Sequence, residues 1–223
     1  MEEIFKFLEG ILRNNNRPWF QEHKNEYLKA QQNFNEIAEQ LILGVQKFDD
    51  SCKNLTLKDC TYRFYRDIRF STDKSPYKNH FGVFISPGGK KSMLGGYYFH
   101  LEPDDANYLN HCLLCTGMYC PDKEMVKSIR DAVLFDSKPF KKAISKAKHF
   151  SLDTENNTSR VPNGYPKDHP DAELFKQRDW LLMQDISNER LYDSHLIEWA
   201  LEEFKTTHDF AQLLNNTVNY DLE

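Results

Sequence analysis

The spacing of apolar residues changes twice along this chain, and that change limits the available folds more than any other feature. From position 2 to 13, Ile4, Phe5, Leu8, Ile11 and Leu12 recur at helical spacing, as do Phe34, Ile37, Ala38, Leu41, Ile42 and Val45 further on. Between these runs Pro18 suits the first turn of a short helix. In the middle the period drops to two, and segments 62–70, 79–86, 92–102 and 107–119 read as strands. Pro87, Gly88 and Gly89, then Pro103, Asp104 and Asp105, supply turn chemistry between them, so an antiparallel meander is the simplest pairing. Helical spacing returns after Pro121 in Met125, Val126, Ile129 and Val133, then over 140–148, 171–178 and 193–217, while 180–186 reads as a further strand. The pattern predicts an α+β fold, a central antiparallel β-meander flanked by N-terminal and C-terminal helices. A length of 223 residues, 39% of them hydrophobic, suits one domain over 1–223.

A formal net charge of -5 argues against a protein that coats nucleic acid non-specifically, which needs a broad field of Lys and Arg. The first sixteen residues carry acidic groups where a secretory signal needs basic ones, and no apolar run is long enough to span a bilayer. These features predict a cytoplasmic protein with no membrane partner. The five cysteines are an odd number in a chain too large to need stapling, which suits reduced thiols. His111, Cys112, Cys115 and Cys120 have ligand chemistry for zinc, but side chains three apart on a strand point to opposite faces. No metal site and no cofactor are expected.

Against the acidic balance, the segment 62–82 stands out as a cationic island. Arg63, Arg66, Arg69, Lys74 and Lys78 face only Asp67 and Asp73 there. If 62–70 is extended, Arg63, Tyr65, Asp67 and Arg69 share one face, and Asp67 can orient both guanidiniums for bidentate recognition of a carboxylate or phosphate. Lys74 and Lys78 follow, with Pro76 stiffening the turn between them. The expected ligand is a small anionic or phosphorylated molecule. Should chemistry occur there, Asp67 and Asp73 are the candidate general bases and Tyr77, His80 and His100 the candidate proton donors. Two alternatives stay open: a non-catalytic module for nucleic acid or an acidic protein segment, and an internal ion network that ties the sheet to the helices.

Four stretches carry a family likeness: NNNRPWF, YRDIRFSTDKSPYKNHFG, TGMYCP and VPNGYPKDHPDAELF. Together they resemble a widespread bacterial and fungal family known as a domain of unknown function, with an RDxRFxxDKxPYK segment as its hallmark. The resemblance runs over nearly the whole chain and implies no substrate or catalytic residue. The chain departs from the family pattern at Asn163, where lysine is usual, and at Thr116, where a second glycine often precedes the Gly-x-Tyr-x-Pro element.

Other familiar shapes have plainer readings. Gly88 to Ser92 looks like the tail of a phosphate loop but lies between two strands, so it reads as a hairpin turn. Trp19, Phe20, His23 and Tyr27 fall on one helical face and read as a core stripe. The irregular segment 153–170 is expected to cover a pocket with Gly164, Tyr165, Lys167 and His169, joining the cationic island.

Overall fold

A computed structural model describes residues 1–106, 108–109 and 111–219. Three helices come first: α1 (Glu2–Arg13), α2 (Arg17–Glu22) and α3 (Lys24–Val45). Asn16 starts α2 by accepting a hydrogen bond from the Trp19 N–H at 3.0 Å, and Pro18 sits in the first turn, where its missing N–H costs nothing. After a short helix, α4 (Leu57–Cys60), the strands β1 (Phe81–Ile85), β2 (Gly96–Leu101) and β3 (Leu113–Met118) form the expected meander. The helices α5 (Lys123–Phe135) and α6 (Lys138–Lys146) follow, then β4 (Ser151–Leu152), β5 (Trp180–Asp185), α7 (Asn188–Leu191) and α8 (Leu196–Asn219). The sheet is antiparallel throughout, in the order β1-β2-β3-β5-β4. The fold is α+β, with N-terminal and C-terminal helices flanking the sheet. No helix among the described residues is long and apolar enough to cross a membrane.

Strand alternation sorts the sheet into two unlike faces. Phe81, Val83, Ile85, Tyr97, Phe99, Leu101, Leu114 and Leu182 enter the main core with the helices, where α8 lies on β3 and α3 on β1. Thr116 on the same face bonds Thr207 of α8 at 2.8 Å, so the departure at this position supplies a sheet-to-helix contact. The opposite face is much less apolar: Leu113, Cys115 and Leu181 pack there against Tyr98, Leu109 and Met183. Cys112 belongs to the helix-side core and Cys115 to the far face, so the two thiols diverge as strand geometry requires.

Two expectations need correction. Segment 62–70 is not a strand: the region makes only the isolated bridges Thr61 to Val83 and Tyr65 to Tyr77. Phe64 is its one buried aromatic side chain, and Phe70 is 95% exposed. The carboxylates account for this, because Asp67 takes the Arg69 N–H and Asp73 the Ser75 N–H in local turns that compete with a ladder. Second, 171–178 forms only a 3-10 turn at Ala172–Lys176. The expected strand start at Asn107 lies outside the described residues.

Candidate functional site

The cationic segment runs from α4 into β1 as a loop whose charges divide into two groups. Arg66 pairs with Asp73 and reaches the Ser75 carbonyl at 3.4 Å, while Arg69 forks onto both oxygens of Asp67 at 2.9 and 2.6 Å. The Ser75 N–H and Arg66 hold the Asp73 carboxyl down to about 2, and hydrogen bonds from Arg69 hold Asp67 at about 2. Lys74 donates to the Ile68 carbonyl at 3.0 Å. These groups satisfy one another. Tyr77 is buried and stacks on Phe20 with centroids 4.1 Å apart. None of Asp67, Arg69, Asp73, Lys74 or Tyr77 lines the cavity described next.

Arg63 and Lys78 form the second group. Among the described residues neither has a carboxylate within ion-pair distance. The Lys78 ammonium sits 5.0 Å from the centre of the Tyr62 ring, and Lys90 lies 5.9 Å from the same ring. Lys90 is held there by the Thr61 carbonyl at 2.5 Å and by the Lys58 carbonyl. Burial, then the charges of Arg63 and Lys90, push the Lys78 pKa below its ordinary value. An ammonium half-buried beside two other cations favours an incoming anion.

Beneath them lies a small cavity of about 40 Å³, with α3 supplying Gln31 and Asn35 on one wall and Arg63, Lys78, His80 and Tyr98 on the other. Tyr98 and His100 are alternate residues of β2, and Glu102 continues the same face. The Tyr98 hydroxyl meets His100 Nδ1 at 2.9 Å, and His100 Nε2 meets Glu102 Oε2 at 2.9 Å. Glu102 also accepts from the Tyr108 and Leu109 N–H groups at 3.0 and 2.8 Å. Burial raises the Glu102 pKa, but the bonds from His100 and these N–H groups outweigh it and leave the carboxyl below its usual range. Burial pushes His100 down and Tyr98 well up. The resting state is therefore ionised Glu102, neutral His100 protonated at Nε2, and a Tyr98 hydroxyl that donates to Nδ1. Gly82, opposite His100, makes room for this relay: a Cβ there would stand 2.3 Å from the Tyr98 hydroxyl oxygen.

His80 completes the wall, stacked on Tyr108 at 4.5 Å and with its ring centre 5.0 Å from that of His100. Burial first, then His100 and Lys78, push its pKa from 6.5 down to about 3. The unfolded chain binds this proton near pH 6.5 while the folded protein refuses it until about pH 3, so stability is full above 6.5 and falls as pH drops through that window. The slope expected is at most about 1.4 kcal/mol per pH unit for one histidine. In urea titrations from pH 7 to 4, His80→Gln should flatten the loss; an unchanged slope would show that His80 is protonated in the folded state.

The late loop is elsewhere. Tyr165 stacks on Phe175 at 5.1 Å and donates to Asp131 at 2.7 Å, and His169 packs at the same phenylalanine. Asn156 and Thr158 of that segment line a separate cleft with no residue in common with the cavity, so the expected single pocket is two. Sequence reading named Arg63, Lys78, His80 and His100 but missed Tyr98, Glu102 and Lys90. The signal for the first two was present, since Tyr98, His100 and Glu102 recur every second residue on a strand.

Fold and site define an α+β protein with a compact cationic cavity backed by a buried Tyr–His–Glu relay. The family model described as conserved hypothetical protein (DUF2461) matches residues 3–212, and the chain belongs to that family. No curated protein and no solved structure matches the chain.

Proposed function

We propose that this protein binds the anionic head of a small molecule, a phosphate or carboxylate group, in the cavity beneath Arg63 and Lys78, with the Tyr98–His100–Glu102 relay holding the wall beside it. The observation that carries the reading is the half-buried Lys78 ammonium without a carboxylate partner, crowded by Arg63 and Lys90. A cation held partly out of water against two others gains most from an incoming anion. Volume narrows the choice: a water needs roughly 10–15 Å³ by the same measure, so about 40 Å³ admits one tetrahedral or planar anionic group and leaves the rest of the ligand outside. Burial keeps the Tyr98 phenol protonated and His100 neutral, so the relay serves as a rigid hydrogen-bonded wall that fixes Tyr98 at the cavity.

Thermal denaturation against phosphate, sulfate and sugar phosphates tests this. At a ligand concentration one hundredfold above Kd, stabilisation of about 2.7 kcal/mol corresponds to roughly 5–10 °C for a chain of this size. Lys78→Ala should abolish the shift and Lys74→Ala should keep it, because Lys74 lies outside the cavity. No shift with any anion, or the same shift in Lys78→Ala, would overturn the reading. A second reading, a module for nucleic acid or an acidic protein segment, draws on exposed Phe70 with the Arg69 guanidinium 5.8 Å from its ring. It predicts steeply salt-dependent binding that Arg69→Ala weakens.

A further inference from the structure

The second cleft is the larger, about 640 Å³, within the range of sites that take whole small molecules. Lys123, Val126 and Arg130 lie along one face of α5 and form one wall; Tyr119 and Cys120, just before that helix, and Arg178, just before β5, form others. Its one carboxylate is already occupied. Asp179 is buried, with one oxygen accepting the Cys120 N–H at 2.8 Å and the other the Asn156 side-chain amide at 2.8 Å, which fastens the walls together. Lys123 and Arg178 are exposed and have no carboxylate within ion-pair distance among the described residues. Arg130 donates one N–H to the Gln177 carbonyl at 2.8 Å, and its buried Nε has no partner.

We propose that this cleft is a nucleoside phosphate site, with Arg130, Arg178 and Lys123 holding the phosphate and Tyr119 stacking on the base. Three cations and no free carboxylate call for a group carrying about two negative charges, and guanidiniums match phosphate oxygens in geometry as well as charge. Inorganic phosphate alone would fill a small part of the volume. Tyr119 is 67% exposed at the wall, an aromatic face open to a planar ring. Asn156 and Thr158 add the polar groups that fix orientation in such sites. The site shares no lining residue with the first cavity and does not depend on ligand binding there.

Isothermal titration calorimetry with four nucleoside monophosphates, adenosine and inorganic phosphate decides it, using wild type, Arg178→Ala, Tyr119→Ala and Lys78→Ala. Arg178 and Tyr119 are exposed, so both variants are expected to fold. At least one monophosphate should bind wild type at submillimolar concentration. Arg178→Ala should weaken it roughly tenfold or more, the loss of one charge-assisted contact. Tyr119→Ala should weaken the nucleotide but not inorganic phosphate, and Lys78→Ala, in the other cavity, should leave nucleotide binding intact. Absence of binding up to about 1 mM, indifference to Arg178→Ala, or inorganic phosphate binding as tightly as the nucleotides would each overturn the assignment. Nucleotide binding lost in Lys78→Ala and kept in Arg178→Ala would move the ligand to the first cavity.

Discussion

Glu102→Ala should cost about 3–5 kcal/mol and lower the midpoint of thermal unfolding by roughly 10 °C, the range for removing a buried carboxylate that accepts three hydrogen bonds in a chain of this size. The carboxylate is 1% exposed and is the shared acceptor for His100 Nε2 and the N–H groups of Tyr108 and Leu109. Alanine leaves the imidazole N–H and two backbone N–H groups facing a dry space, each short of about 1–3 kcal/mol of lost hydrogen bonding. It also frees the turn after β2 that closes the far face of the sheet. Glu102→Gln keeps the shape and one acceptor oxygen, and should lose about half as much. Chemical denaturation with urea measures both. An alanine variant within about 1 kcal/mol of wild type would mean that water satisfies these donors and that the relay is wet.

The parts of the fold that could be read from sequence are those set by side-chain period. Helices α1, α3, α5 and α8 and strands β1, β2 and β5 follow apolar spacing because each buries one face on the same core. The segment 62–70 defeated that reading because its alternation is real but its aromatics are not core residues: Tyr62, Tyr65 and Phe70 are exposed, and Phe64 alone is buried. Competing Asp side chains, invisible to a hydrophobic pattern, decide the backbone there. The same limit applied to the site. Composition located the cationic island, yet only tertiary contacts separate Arg66 and Arg69, which have partners two to seven residues away, from Arg63 and Lys78, which do not. The second cleft joins residues from 119 to 130 with others from 156 to 179, a grouping that follows from β5 inserting beside β3 and that no local motif announces.

Gly117→Ala should be the most damaging single change in the sheet, with a loss of more than about 4 kcal/mol or no folded protein at all. The residue adopts φ +140, a conformation that side chains rarely tolerate, near the C-terminal end of β3 where it pairs with Gly96 on one side and Leu181 on the other. A Cβ there would stand 1.8 Å from the Trp180 carbonyl oxygen. That oxygen cannot move aside, because Trp180 is fully buried against Phe140 and its strand is bonded to both β3 and β4. Gly164→Ala separates the two contributions, since Gly164 also has positive φ, +94, but nothing lies within 4 Å of its would-be Cβ. It should cost only the backbone share, about 1–2 kcal/mol. Equal losses in the two variants would show that conformation alone, and not the collision with β5, fixes glycine at 117. A large excess at 117 would show that the close approach of β3 to β5 fixes glycine there, at the strand end that leads into Tyr119 and Cys120 of the second cleft.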